Sequence, residues 1–392
     1  MKRKEINRKQ VLSSYFSYLY SNNKIKDFVK LFLQTFLFKY KLVGELKENI
    51  YFYPSREDFD NLVLLIKKST DMESSTVKIC KKIRINFIAF AKFIFSLLKN
   101  SKKIKKIIKD DLNKKISIQN TIYIKLWLFK VEQLEEQFKK ISFLGVKNLI
   151  VLTDVLMYEN ALINVANEKK INTIILQHGF YIPSNKIYSI DNLNYRYVNA
   201  KYFLVWGNET KKMIDHYNNI NVIICGDPRL KKESIDIRNK TIGVLCDAPR
   251  FHSYNQQMID IAEDFALKLG FKVLIRLHPR DDCKYYILNK NISIFERNLD
   301  ETTFILAHTS TMIFTMMLKH KCVFRFNSDI SYEKLDKIKF SNLDELIKLY
   351  NDMNNLNFDD MLNEHYEYVG DESIKRYRAF FESSKIEGEN DE

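Results

Sequence analysis

Between residues 149 and 326, short apolar runs of strand length alternate with helix-length amphipathic segments, which restricts the chain to parallel sheets covered by helices on both faces. The runs fall at 149–152, 173–176, 202–206, 222–225, 242–246, 272–277, 292–295, 304–307 and 322–326. Between them, 155–168, 209–217, 256–269 and 312–319 repeat apolar residues with helical spacing. Run length and flanking Gly or Pro select strands over short buried helices. The fold class expected is therefore α/β with two Rossmann-like domains, because 392 residues exceed one ordinary domain and 228–240 is a charged stretch poor in apolar residues.

The expected domains are 1–230, carrying a basic helical insertion over about 61–112, then 231–355, then C-terminal helices and an acidic tail over 356–392. A first strand is expected near Asn49–Tyr53. The net charge of +14 is unevenly spread: ten Lys or Arg lie in 81–109 before the first acid, Asp110. They bracket the apolar stretch 85–98, which is 14 residues long and holds Asn86 and Lys92, short of the roughly 20 needed to span a bilayer. Phe87, Phe90, Phe93 and Phe95 inside this basic frame suit a helix lying on an anionic membrane surface, with burial against the first domain as the alternative. The basic N-terminus lacks the apolar core and cleavage site of a signal peptide. A cytoplasmic chain, peripheral on the inner face of the plasma membrane, is expected. The five cysteines, Cys80, Cys225, Cys246, Cys283 and Cys322, are scattered and odd in number, as in a reducing compartment.

Ligands of open α/β sheets sit beyond the carboxyl ends of the strands, so the residues following each run are the candidates. Arg276, His278 and Arg280 follow one strand that Pro279 ends, and two guanidiniums with an imidazole suit a phosphate. After the run 304–307 come His308, Thr309, Ser310 and Thr311, placing hydroxyls and free amides at a helix start, for phosphate binding or plain capping. Asp247 and Arg250 open the second half as further donor contacts. In the first half Gln177, His178 and Gly179 end one strand and Asp154 ends the preceding one. Either His178 or Asp154 could take a proton from an acceptor hydroxyl; a buried histidine and a helix cap are the structural alternatives.

No phosphate loop of the GxxxxGK[ST] type, no GxGxxG, GxSxG, HExxH or EF-hand pattern occurs, so kinase and dinucleotide chemistry have no support and no metal is expected. The cations match no recognisable nucleic-acid module, and nucleic acid is not an expected partner.

The ordered segments QHG at 177–179, VWGN at 205–208, GDPR at 226–229, RLHPR at 276–280 and HTST at 308–311 resemble bacterial capsule and lipopolysaccharide glycosyltransferases of the GT-B fold. The similar groups are sialyltransferases, polysialyltransferases and capsular Kdo transferases carrying an HP motif and a Ser/Thr motif. Teichoic-acid glycerophosphotransferases, which use CDP-linked donors, are more distant in pattern. The resemblance implies that His278 and Thr309, Ser310 and Thr311 contact the phosphate of a cytidine-nucleotide donor, that His278 serves catalysis, and that no cofactor is needed beyond a CMP-sugar donor substrate. It implies transfer of an acidic sugar (sialic acid, Kdo or a related ulosonic acid) to a glycan or glycolipid hydroxyl in a cleft between the domains. Sialyltransferases also carry an acidic pair followed by Gly; this chain has no counterpart, which leaves the base open between Asp154 and His178. The rivals are a CDP-polyol phosphotransferase and a non-catalytic glycan-assembly protein. A UDP-sugar 2-epimerase of the same fold would need more carboxylates than these motifs supply.

Overall fold

The computed structural model describes residues 7–19, 21, 23–54, 59–70, 73–97, 100–179, 193–231, 239–279, 281–310, 312–319, 321–328 and 333–389. Two expected site residues, Arg280 and Thr311, lie outside the described residues. The chain divides into two compact units, Met1–Tyr181 with Lys186–Pro228 and Asp371–Glu392, and Ile182–Asn185 with Arg229–Gly370.

The first unit begins with α1 (Arg8–Leu19), α2 (Lys24–Phe36), β1 (Phe38–Val43), β2 (Asn49–Tyr51), α3 (Asp60–Ser69), β3 (Ser74–Thr76) and β4 (Lys78–Ile83). Then follow α4 (Phe87–Leu97), α5 (Ser101–Leu112), α6 (Ile118–Phe138), β5 (Asn148–Val151), α7 (Met157–Glu168), β6 (Asn172–Leu176), β7 (Tyr202–Val205), α8 (Asn208–Tyr217) and β8 (Asn221–Ile224). Its sheet runs β3-β2-β5-β6-β7-β8, parallel throughout, while β1 and β4 pair antiparallel as a separate ribbon. Period-two alternation sends Phe52, Val151, Ile175 and Phe203 into the core under α6 and α7, and Tyr51, Ile150, Ile174 and Leu204 into a second core on the opposite face. The region expected as a helical insertion thus contains two strands, one of which joins the main sheet. Their residues, SST and KICKKI, hold no continuous apolar run because β3 is an edge and β4 is solvent-facing.

The second unit contains β9 (Thr241–Leu245), α9 (His252–Leu269), β10 (Lys272–Arg276), β11 (Ser293–Phe295), β12 (Phe304–Ala307), α10 (Met312–Leu318), β13 (Cys322–Phe326), β14 (Lys339–Phe340), α11 (Leu343–Asn351) and α12 (Asp359–His365). Its sheet runs β11-β10-β9-β12-β13-β14, again all parallel. Gly270 ends α9 with φ +71°, a conformation that costs glycine little and lets the chain turn straight into β10. Central β9 carries Gly243, where a Cβ would come within 3.1 Å of Ile305 and 3.2 Å of Leu299 and Thr302, so the neighbouring side chains close over that strand.

The final helix, α13 (Gly370–Glu389), belongs to the first unit except for its first residue, and does not form a separate C-terminal element with α12. Its Tyr377, Phe380 and Phe381 complete the core on the face that α3 covers, and the Tyr377 hydroxyl donates to the Gly226 carbonyl at 3.3 Å. Both units therefore have the doubly wound form, in which parallel strands need helical cover on each face.

Beneath the first sheet, Lys130 on α6 is enclosed, its Nζ donating to the Gln34 carbonyl at 2.8 Å and lying 3.8 Å from the centre of the Tyr40 ring. Burial, reinforced by the charge of Lys81, lowers its ammonium to about 7. The unfolded chain then binds more protons than the folded one above that pH, so this group makes stability rise from about pH 7 towards about pH 10. Lys130→Met is expected to stabilise the chain by about 1–4 kcal/mol near neutral pH and to flatten that rise, as read by urea unfolding at several pH values.

Candidate active site

In the second sheet β9 lies between β10 and β12, and the chain reverses its direction of growth there, moving out through β10 and β11 before returning to β12. Arg276 and Ala307 both register against Leu245, so the three strands end level. Asp247, His278 and Thr309 each lie two residues beyond that level. The residues named from sequence on three distant segments thus share one sheet edge at the topological switch point, where such folds bind ligands.

Asp247 holds this edge together. Its Oδ2 accepts the Thr309 N–H at 2.7 Å and the Thr309 hydroxyl at 2.6 Å, and lies 3.2 Å from Nδ1 of His308, out of line for a hydrogen bond. The main chain of Asp247 is fixed in turn by Asn255 of α9, whose amide accepts the Asp247 N–H and donates to its carbonyl, both at 2.9 Å. Asn255 also donates to the Tyr286 hydroxyl at 2.9 Å, and that hydroxyl donates to Asp281. Burial pushes the Tyr286 phenol above its ordinary value, with the bond to Asp281 acting in the same direction, so it stays a proton donor. Ser310 accepts the N–H of Met312 at 3.3 Å, capping α10.

Arg276 and His278 are half-buried, and the His278 carbonyl accepts the Asp281 N–H at 2.8 Å. Arg250 is exposed, its guanidinium 4.8 Å from the centre of the Phe251 ring. His308 is fully enclosed, with Phe251 and Tyr254 both 5.1 Å away ring to ring, and its carbonyl accepts Nε of Arg325 at 3.2 Å. Sequence reasoning missed Asn255, Tyr286 and Arg325. Only Arg325 left a signal: it is the one cation in an otherwise apolar strand, and is itself buried.

The edge of the first sheet is built differently. Gln177, fully buried, accepts the Trp206 N–H at 2.8 Å and donates to the Gly179 carbonyl at 2.9 Å and the Thr210 hydroxyl at 3.2 Å, binding the end of β6 to β7 and α8. His178 is buried with its ring edge-on to Phe59 at 5.5 Å. Asp154, the other candidate base, is wholly enclosed: one oxygen pairs with the equally buried Lys9 of α1 and the other accepts the Asn199 N–H at 2.8 Å. Both oxygens are engaged by the fold and neither is exposed, so an acceptor hydroxyl has no access to them. Among the described residues no group of three or more His, Cys, Asp or Glu could hold a metal ion, and no helix is long and apolar enough to cross a membrane.

No family model and no curated protein matches the chain. Among solved structures it is similar to the UDP-GlcNAc 2-epimerase of Neisseria meningitidis bound to UDP-GlcNAc, with 13% identity and TM-score 0.49, over 87% of this chain and 98% of that one. It is similar too to the UDP-GlcNAc 2-epimerase of Methanocaldococcus jannaschii in complex with UDP-GlcNAc and UDP, with 10% identity and TM-score 0.49, over 83% and 97%. The wall teichoic acid polymerase TagF gives 9% identity and TM-score 0.45, over 98% of this chain and 99% of that one. None of the three lends this chain a residue role.

Proposed function

We propose that this chain is a glycosyltransferase that moves an acidic sugar from a CMP-linked donor to a hydroxyl of a glycan or glycolipid at an anionic inner-membrane surface. The observation that carries the reading is the level ending of β10, β9 and β12, which sets His278, Asp247 and Thr309 on one edge at the switch point of the second sheet. One phosphate fits so compact a group of donors. Arg276 and His278 supply the charge for it, the Ser310 hydroxyl supplies a polar group, and Asp247 acts indirectly by fixing Thr309.

In the transfer, the acceptor oxygen bonds to the anomeric carbon of the donor as the bond from that carbon to the phosphate oxygen breaks, and CMP leaves with the electron pair. Arg276 and His278 offset the charge that collects on the departing phosphate. The base that takes the acceptor proton is not Asp154, whose carboxylate is taken by Lys9 and the Asn199 N–H; His178 stays the candidate.

A thermal-unfolding panel of CMP, CDP, UDP and GDP tests the donor. CMP is expected to raise the transition most, with stabilisation of about 2.7 kcal/mol at a hundredfold excess over its dissociation constant, and Arg276→Gln to reduce the shift. Selective stabilisation by UDP or GDP, or by none of the four, would overturn the CMP reading, and CDP selectivity would favour phosphotransfer from a CDP-polyol.

A further inference from the structure

In α4 the residues facing the core are Ala89 and Phe93, yet the opposite side is apolar as well. Phe87, Ile88, Ala91, Ile94 and Phe95 follow the i, i+1, i+4, i+7, i+8 spacing of a single helix face, and Phe87, Ile88 and Phe95 are 77%, 71% and 72% exposed. A surface helix normally turns charged residues outward; this one has Lys92 as its sole charge. Its neighbour α2, joined to it by edge-on contacts of Phe90 with Phe32 and Phe36, exposes a second stripe, Ile25, Val29 and Leu33, at four-residue intervals.

Around this apolar surface the charge is positive. In the β1–β4 ribbon Lys39 registers directly against Lys82, and Tyr40 against Lys81. Like charges placed opposite each other destabilise a ribbon unless an anion compensates them. Among the described residues Lys39, Lys41, Lys81, Lys82, Arg84 and Lys92 make no ion pair with a carboxylate. Glu132 and Glu136 share a hollow with Lys39, Arg84 and Lys92, but Lys41, Lys81 and Lys82 stand on the ribbon without such neighbours, and a wide apolar face beside them complements acyl chains below a layer of anionic headgroups.

We propose that α4, with the outer stripe of α2, inserts in the plane of an anionic bilayer, Phe87, Ile88, Ile94 and Phe95 entering the acyl boundary while the β1–β4 lysines bind headgroup phosphates. This deepens the membrane-surface reading above and rests on it: the lysines set attraction, and α4 sets depth.

Sedimentation with vesicles of phosphatidylcholine alone, and of phosphatidylcholine with phosphatidylglycerol, separates the two. The full chain is expected to bind only the anionic vesicles, and Phe87→Glu with Phe95→Glu to weaken binding about tenfold or more with an unchanged unfolding transition, since both side chains are already exposed. Phe95→Trp is expected to be quenched by brominated acyl chains. Binding that survives Phe87→Glu/Phe95→Glu, with no quenching of the Phe95→Trp indole, would overturn insertion while leaving the electrostatic reading standing. Failure to bind anionic vesicles at all would overturn both. Lipid-free dimers that the double glutamate variant dissolves would show that the face covers a second copy, and would also overturn the proposal.

Discussion

Replacing His278 with alanine is expected to lower turnover by about 10²–10³-fold while leaving the unfolding transition where it was. The two halves of that expectation have separate causes. His278 lies two residues past the level at which β10, β9 and β12 end, and is half-buried; its carbonyl bond from the Asp281 N–H survives in alanine. The main-chain contact at this position is therefore kept. The imidazole is assigned to charge that accumulates on the phosphate only as CMP departs, so its loss weakens the transition state more than the bound donor, and kcat falls more than KM changes. Arg276→Gln should show the opposite division, because the guanidinium is assigned to the charge the phosphate already carries in the bound donor, whereas the Thr309 N–H and hydroxyl are both spent on Asp247. Nucleotide release from a CMP-linked sugar reads both variants. Full turnover in His278→Ala would remove the catalytic assignment, and a loss confined to KM would reduce His278 to a binding residue.

How well such a site can be read from sequence depends on whether its parts leave a local trace. Each of the nine apolar runs expected between 149 and 326 is a strand: the central ones are buried on both faces and must be written as continuous apolar runs, and the edges β8 and β11 carry such runs although partly exposed. Strands without such a run escaped: β3, SST, is polar, β14 is two residues long, β1 alternates lysine with apolar residues, and β4, KICKKI, is broken by a lysine pair. Asp247, His278 and Thr309 were legible because chain reversal at a strand end is a local event, and parallel topology brings those ends to one edge. Their supports were not. Asn255 reaches Tyr286 across 31 residues and Arg325 reaches His308 across 17, and no period or motif in the chain encodes those meetings. The basic stretch 81–109 was legible as charge, but only the structure shows that α4 turns an apolar face outward instead of burying it.

The partner of Asp154 lies further still, 145 residues away in what reads as a merely basic N-terminus, and it yields the largest expected effect on stability. Lys9 and Asp154 are both fully enclosed, so removing one leaves a charge inside the core with no counter-charge. Lys9→Met is expected to destabilise the chain by about 3–5 kcal/mol, read from the urea midpoint. Lys9→Met combined with Asp154→Asn should recover most of that loss, because asparagine still accepts the Asn199 N–H and no lone charge remains. Asp154→Asn alone has a distinct signature. Burial already lowers the Lys9 ammonium and Asp154 opposes it; without Asp154 the ammonium falls further. The unfolded chain then binds the proton more tightly than the folded one, so this variant should regain stability as pH rises towards about 10, where the unfolded lysine also loses its charge. Strictly additive losses in the double variant, or a single Lys9→Met within about 1 kcal/mol of the parent chain, would show that the pair is not the clasp that holds α1 against the end of β5.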